Sequence, residues 1–152
     1  MSGTRRTSAR GFTLVEILIV VIILGILAAI VIPQFTNAST EARQSNVLSQ
    51  LQTMRSQIEL YKLQHNDTPP ALITTGWTVF TEYTDVNGGV SATKDTTHIY
   101  GPYYQTAPIN PLSNTSTVAA AAATGVGWVY SETTGTVSAT AAATGTALYV
   151  EN

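Results

Sequence analysis

The sequence predicts an α+β protein in which one long N-terminal α-helix, half transmembrane and half amphipathic, packs on a small antiparallel β-sheet head. Three observations carry that prediction: an apolar run from Phe12 to Ile32, an apolar stripe at helical spacing from Val47 to Tyr61, and strand-like segments separated by turn residues after Pro70. Composition excludes much else. With 152 residues, a net charge of −2, only 11% charged residues and no cysteine, the chain is no disulfide scaffold, polybasic nucleic-acid binder or charge-rich disordered tail.

The apolar run comes first. Twenty-one residues lie between Phe12 and Ile32, sixteen of them Leu, Ile, Val or Phe, with Glu16 the only charge. At 1.5 Å per residue they make a helix of about 31 Å, the thickness of a bilayer's hydrocarbon core. Sixteen such residues contribute roughly −5 to −10 kcal/mol to insertion, against about +3 kcal/mol for a carboxylate at mid-span. Insertion wins. Arg5, Arg6 and Arg10 precede the run without an acidic residue, while Pro33 to Asn46 carries only Glu41 and Arg43. The basic end therefore stays cytoplasmic and the remainder goes outside.

Blander readings fit less well. A cleaved secretory signal has an apolar stretch of about 7 to 15 residues ending at Ala-x-Ala; this run is longer, and Ala28, Ala29, Ala38 and Ala42 form no such site. For a twin-arginine signal, Arg5-Arg6 is followed by Thr7-Ser8-Ala9 instead of an apolar pair. A plain signal anchor survives both tests but gives no reason for Glu16. An ionisable side chain in an apolar span is a functional-site hypothesis, and its partner has to be named. The span holds no basic residue. Cleavage after Gly11 would create an amine on Phe12, positively charged below a pKa of roughly 8, and that amine or a neighbouring copy's could pair with Glu16. An intermolecular salt bridge of this kind favours side-by-side assembly of identical helices.

Gly11-Phe12-Thr13-Leu14-Val15-Glu16, the apolar run behind it and Pro33 resemble the prepilin N-terminal motif of type IV pilins and type II secretion pseudopilins. The match covers about residues 5 to 35. The resemblance implies cleavage between Gly11 and Phe12 by a membrane-embedded prepilin peptidase, N-methylation of Phe12, and a role for Glu16 and Phe12 in registering subunits during filament assembly. It also implies that Pro33 kinks the long helix, for which the missing N–H and the clash with the preceding turn are the physical basis. The alternative is a proline that ends the span.

After Pro33 the helix is expected to continue with a different character. Val47, Leu51, Met54, Ile58 and Tyr61 recur at spacings of four, three, four and three, the core face of an amphipathic helix. His65-Asn66-Asp67 and Pro69-Pro70 stop it, so the helix should run from about residue 13 to about 65. The expected divisions are a leader at 1–11, a transmembrane, filament-core segment at 12–33, an amphipathic half at 34–65 and an α+β periplasmic head at 66–152.

Within the head, residues 77–84 fit a strand or a short helix by periodicity, and the short helix is preferred. Asn87-Gly88-Gly89 marks a turn; Gly101-Pro102 and Asn110-Pro111 mark an irregular connection that Tyr100, Tyr103 and Tyr104 plug onto the core. Residues 127–131 and 136–139 read as a hairpin closed by Glu132 to Gly135, and Ala147 to Val150 as a third strand. Two low-complexity stretches, Ser113 to Gly127 and Ser138 to Thr146, read as exposed loops. Three Asn-x-Ser/Thr sequons, at Asn37, Asn66 and Asn114, are short enough to arise by chance.

The head, through Tyr100-Gly101-Pro102-Tyr103-Tyr104, Asn110-Pro111-Leu112, Trp128-Val129-Tyr130 and Gly135-Thr136-Val137, is similar to the major pseudopilins of type II secretion. That resemblance implies calcium in the C-terminal loop where major pilins have a disulfide. The acidic residues of such a site are not evident between Pro111 and Gly127, and Asp85, Asp95 and Glu132 read as scattered surface acids. His65 and His98, the only histidines, are expected to face solvent, and neither a Gly-x-Ser-x-Gly nor a Walker loop occurs, so no enzyme is expected. Beyond residue 11 the chain carries Arg43, Arg55, Lys62 and Lys94 against nine acids, which argues against binding nucleic acid.

The resulting expectation is a structural subunit, single-pass in the inner membrane until it is extracted into a periplasmic pseudopilus, with a type IV pilus as the alternative. Its expected partners are copies of itself, the prepilin peptidase and methyltransferase, the inner-membrane assembly platform and minor pseudopilins.

Overall fold

A computed structural model of the chain describes residues 11–141 and the backbone of Leu148 and Tyr149. One helix, α1 (Leu14–Gln64), runs for 51 residues and passes through two compact units, residues 1–40 and 41–152. Its limits agree with those read from the sequence, and the chain is an α+β protein with one long N-terminal helix and small sheets in the second unit.

The start of α1 has a local cause. Thr13 stands just ahead of it and Glu16 three residues on, the Thr-x-x-Glu spacing of a capping box. The Glu16 N–H donates to the Thr13 hydroxyl at 3.2 Å, and the Thr13 N–H donates to the Glu16 carboxylate at 3.5 Å. Two of the unpaired donors of the first turn are thereby satisfied. The helix passes through Pro33, so that residue does not end it. Pro33 lacks an N–H and leaves the Ala29 carbonyl without its usual partner. One turn later the Thr36 hydroxyl donates to the Ile32 carbonyl and the Thr40 hydroxyl to that of Thr36. In the first unit every large apolar side chain from Phe12 to Phe35 is exposed, none less than 43%.

In the second unit α1 buries the five residues of the predicted stripe, Val47, Leu51, Met54, Ile58 and Tyr61. They join Leu72, Val79, Phe80, Trp128, Tyr130, Val137 and Ala139 in one core. The helix stops where Asn66 and Asp67 both take left-handed conformations, φ 54° and 61°, and the Asp67 N–H turns back to the Lys62 carbonyl at 2.8 Å. A single-turn helix follows, α2 (Thr78–Thr81), as preferred from the sequence. Then comes an antiparallel hairpin of β1 (Tyr83–Thr84) and β2 (Val90–Ser91) around Asn87-Gly88-Gly89. Gly88 has φ +84°, which favours glycine, and a Cβ there would lie 2.8 Å from the Tyr61 hydroxyl and have to displace it. Tyr103 and Tyr104 do plug the following stretch onto the core: both N–H groups donate to the Phe80 carbonyl, at 2.8 and 2.9 Å, and both rings pack against Phe80.

The second sheet has the order β3-β4-β5-β6, formed by Val118–Ala119, Trp128–Tyr130, Val137–Thr140 and Leu148–Tyr149. The predicted hairpin is β4–β5, with Trp128 opposite Ala139, and β6 adds antiparallel to β5. Two expectations are corrected. The sheet is mixed, because β3 pairs parallel to β4. The low-complexity stretches are not simply exposed loops either: the first contains β3 and the buried Val126 and Gly127, while Ser138 to Thr140 lies in β5 with Ala139 and Thr140 fully buried. Small residues in these stretches sit where strands and backbone approach closely, a use that composition cannot reveal. Residues 142–146 of the second stretch lie outside the described residues, as do Ala147 and Val150 of the expected third strand.

Candidate functional site

At the N-terminal end, Gly11, Phe12 and Thr13 precede the helix in exposed, irregular backbone, and Phe12 is 78% exposed. Nothing lies within 4 Å of where a Cβ on Gly11 would be. Among the described residues, the Gly11–Phe12 peptide bond lies ahead of the helix and outside its ladder. Glu16 occupies the first turn of α1, where the helix dipole favours an anion, and the capping box holds its carboxylate. The sequence names the amine of a cleaved Phe12 as the partner of this acid; in the intact chain its carboxylate accepts the Thr13 N–H. The Thr-x-x-Glu spacing was the available signal. Behind it lies a helix long and apolar enough to cross a membrane, with none of its apolar window buried.

In the head, the acids named from the sequence serve as local acceptors. Asp85 takes the Asn87 and Gly89 N–H groups at 2.8 Å each, and the Gly89 bond above all holds its carboxyl below the usual range. Asp95 takes the His98 and Thr97 N–H groups at 2.7 Å, the Thr97 hydroxyl at 2.8 Å and the His98 ring at 2.8 Å; these bonds, the His98 N–H first, depress its carboxyl strongly. Glu132 accepts the Ile73 and Thr74 N–H groups at 2.8 and 3.0 Å and the Thr74 hydroxyl at 3.2 Å, joining the β4–β5 turn to the segment after α1. Each carboxylate is committed to protein donors, and among the described residues no three His, Cys, Asp or Glu side chains gather in a metal-binding group. Calcium, which prefers six to eight oxygens, does not fit these residues.

His65 corrects another expectation, because it is buried, not solvent-facing. Its ring stacks on Tyr61 at 3.6 Å between centroids. Nδ1 lies 2.8 Å from the Tyr61 carbonyl, which can only accept, so Nδ1 carries the proton and Nε2 accepts from the Thr84 hydroxyl at 3.0 Å. Burial pushes the imidazole below its ordinary value. Burial likewise pushes the Tyr61 phenol up to about 12. His65 stands four residues beyond Tyr61 and continues the buried stripe, a signal that could have been read. His98 is bound to Asp95 near the surface. The structure brings neither histidine together with a nucleophile and an anion-stabilising group in a cleft.

Comparison with known proteins finds likeness to two groups. A family model described as the prokaryotic N-terminal methylation motif matches residues 6–32. The chain is 40% identical over 65 residues to Type II secretion system core protein G of Klebsiella michiganensis, covering 43% of this chain and 46% of that protein. It is 45% identical over 69 residues to Type IV major fimbrial protein FimA of Dichelobacter nodosus, covering 45% and 43%. A second FimA sequence from that organism is 40% identical over 88 residues, 58% and 53% of the two chains. The chain spans about half the length of the curated relatives it matches. No solved structure matches. The chain is therefore similar to both groups, the secretion-system core proteins and the type IV fimbrial proteins.

Proposed function

We propose that the chain is a structural, non-enzymatic subunit of a periplasmic pseudopilus in a type II secretion system. The prepilin peptidase removes residues 1–11, Phe12 is N-methylated, and α1 then holds the subunit in the inner membrane with its head in the periplasm. The assembly platform and minor pseudopilins start the filament, and further copies of the chain extend it. The observation that carries this reading is that every large apolar side chain of α1 from Leu14 to Phe35 is exposed, in a helix that opens within Gly11-Phe12-Thr13-Leu14-Val15-Glu16. A helix uncovered on every side belongs in lipid or against other such helices, and a filament core built from it satisfies both states in turn. Pro33 provides a bend between the two halves of α1, and Glu16 pairs with the Phe12 amine of a neighbour.

The identity to FimA supports a second reading, a major pilin of a type IV pilus. The test of the first is to express the chain with a type II assembly system, shear the cells, and examine the released material by electron microscopy and mass spectrometry. Short filaments of a chain beginning at methylated Phe12 are expected. Assembled protein with an intact Met1 would overturn the reading, and assembly only with a retracting pilus machinery would transfer it to the alternative.

A further inference from the structure

The loop for which the family resemblance implies calcium is closed here by a side-chain amide. Asn110 is fully buried. Its Nδ2 group donates to the Gly127 carbonyl at 2.7 Å and to the Thr140 carbonyl at 2.9 Å, while its Oδ1 accepts the Leu112 N–H at 2.8 Å. Its backbone N–H donates to the Thr115 carbonyl at 3.0 Å and its carbonyl accepts the Asn114 N–H at 2.7 Å. Around it the Thr140 hydroxyl donates to the Val126 carbonyl at 2.5 Å, and the Trp128 indole N–H to the Pro108 carbonyl at 2.9 Å. The start of the loop, its return at Gly127 and strand β5 therefore meet on one residue.

A carboxamide has two donors and an acceptor with two lone pairs; both donors and the acceptor are engaged here. The carbonyls of Gly127 and Thr140 converge on Asn110, as carbonyls do around a hard cation, but what they meet is an NH2 group with its protons directed at them. A cation beside those protons would be repelled, and the segment between Pro111 and Gly127 contains no acid to offset that repulsion. Asp85, Asp95 and Glu132 are committed elsewhere. We infer that Asn110 is the lock of this head: its buried amide holds the 108–127 loop onto β5, so the fold does not depend on calcium.

The experiment uses the full chain in detergent micelles, with thermal unfolding followed by the fluorescence of Trp77 and Trp128. Wild type is expected to melt at one temperature in millimolar calcium chloride and in EGTA. Asn110→Asp keeps the size of the side chain and the acceptor for Leu112 but sets an anion against two carbonyls, and Asn110→Ala removes all three side-chain bonds. Each is expected to melt lower by roughly 5 to 15 °C in either buffer. A wild-type midpoint several degrees higher in calcium overturns the inference, as does Asn110→Asp melting with wild type. Should both variants fail to fold, the wild-type comparison decides alone. Melting of the isolated subunit does not require a filament, so failure here leaves the filament reading standing, and failure of assembly leaves this one.

Discussion

Glu16 has two jobs in this account, and one pair of substitutions separates them. In the subunit its carboxylate accepts the Thr13 N–H at 3.5 Å while its own N–H reaches the Thr13 hydroxyl at 3.2 Å. Both distances are at the long end, so the cap contributes about 0.5 to 1 kcal/mol to the first turn, a factor of roughly 2 to 5. The proposed ion pair with a neighbour's Phe12 amine is larger. Removing one member of a buried pair costs about 3 to 5 kcal/mol, a factor of roughly 150 to 5,000 in each subunit addition. Glu16→Gln keeps a capping oxygen and removes the charge; Thr13→Val removes the hydroxyl half of the cap and keeps the charge. Sheared filaments should therefore nearly vanish in Glu16→Gln and fall only a few-fold in Thr13→Val. Mass spectrometry must show residues 1–11 removed in both, so that processing is not the cause. Glu16→Gln filaments at wild-type abundance beside a Thr13→Val collapse would show that Glu16 acts as a cap and not as a charge.

Three further outcomes follow from the second unit, each read by unfolding the full chain in detergent. The imidazole of His65 is held below its ordinary 6.5, so the folded state favours the neutral ring. Its stabilising contribution is present in full above pH 6.5 and declines as pH falls toward the folded value. The charged or titratable groups near it are Tyr61, Tyr100, Tyr103 and Asp85, and burial raises the phenols of Tyr61 and Tyr103. Wild type should thus lose stability just below pH 6.5 and His65→Gln should not; parallel curves would refute the assignment. The Tyr130 hydroxyl is buried with no hydrogen-bond partner among the described residues, so Tyr130→Phe should be neutral or stabilising by up to about 1 kcal/mol, and a loss above 1 kcal/mol would show a partner. Leu51→Ala, in the core, should cost about 2 to 5 kcal/mol, while Leu63→Ser, at a site 83% exposed, should stay within about 0.5 kcal/mol; similar costs would place the wrong face of α1 inward.

What could be read in the sequence follows the range of the interactions involved. The stripe from Val47 to Tyr61 was legible because helical burial repeats along the chain itself, and the β4–β5 hairpin because its turn lies between its strands. The Thr13–Glu16 cap and the burial of His65 obey the same local rules, and the spacing of three and of four residues announces both. β3 and Asn110 are different. Val118 pairs with Trp128 in parallel, which no adjacent turn announces, and the bonds that define Asn110 reach positions seventeen and thirty residues away. An Asn before a proline reads as a turn whatever its amide later meets, and a run of Ala, Thr and Gly reads as a loop whether or not backbone packs against it. Calcium in that loop is implied by the resemblance alone, against the absence of acids between Pro111 and Gly127, but the circuit of chain still needs closing. The circuit is set by topology, whereas the group that closes it depends on side chains brought together only after folding, so a metal, a disulfide and a buried amide can each close it on one architecture.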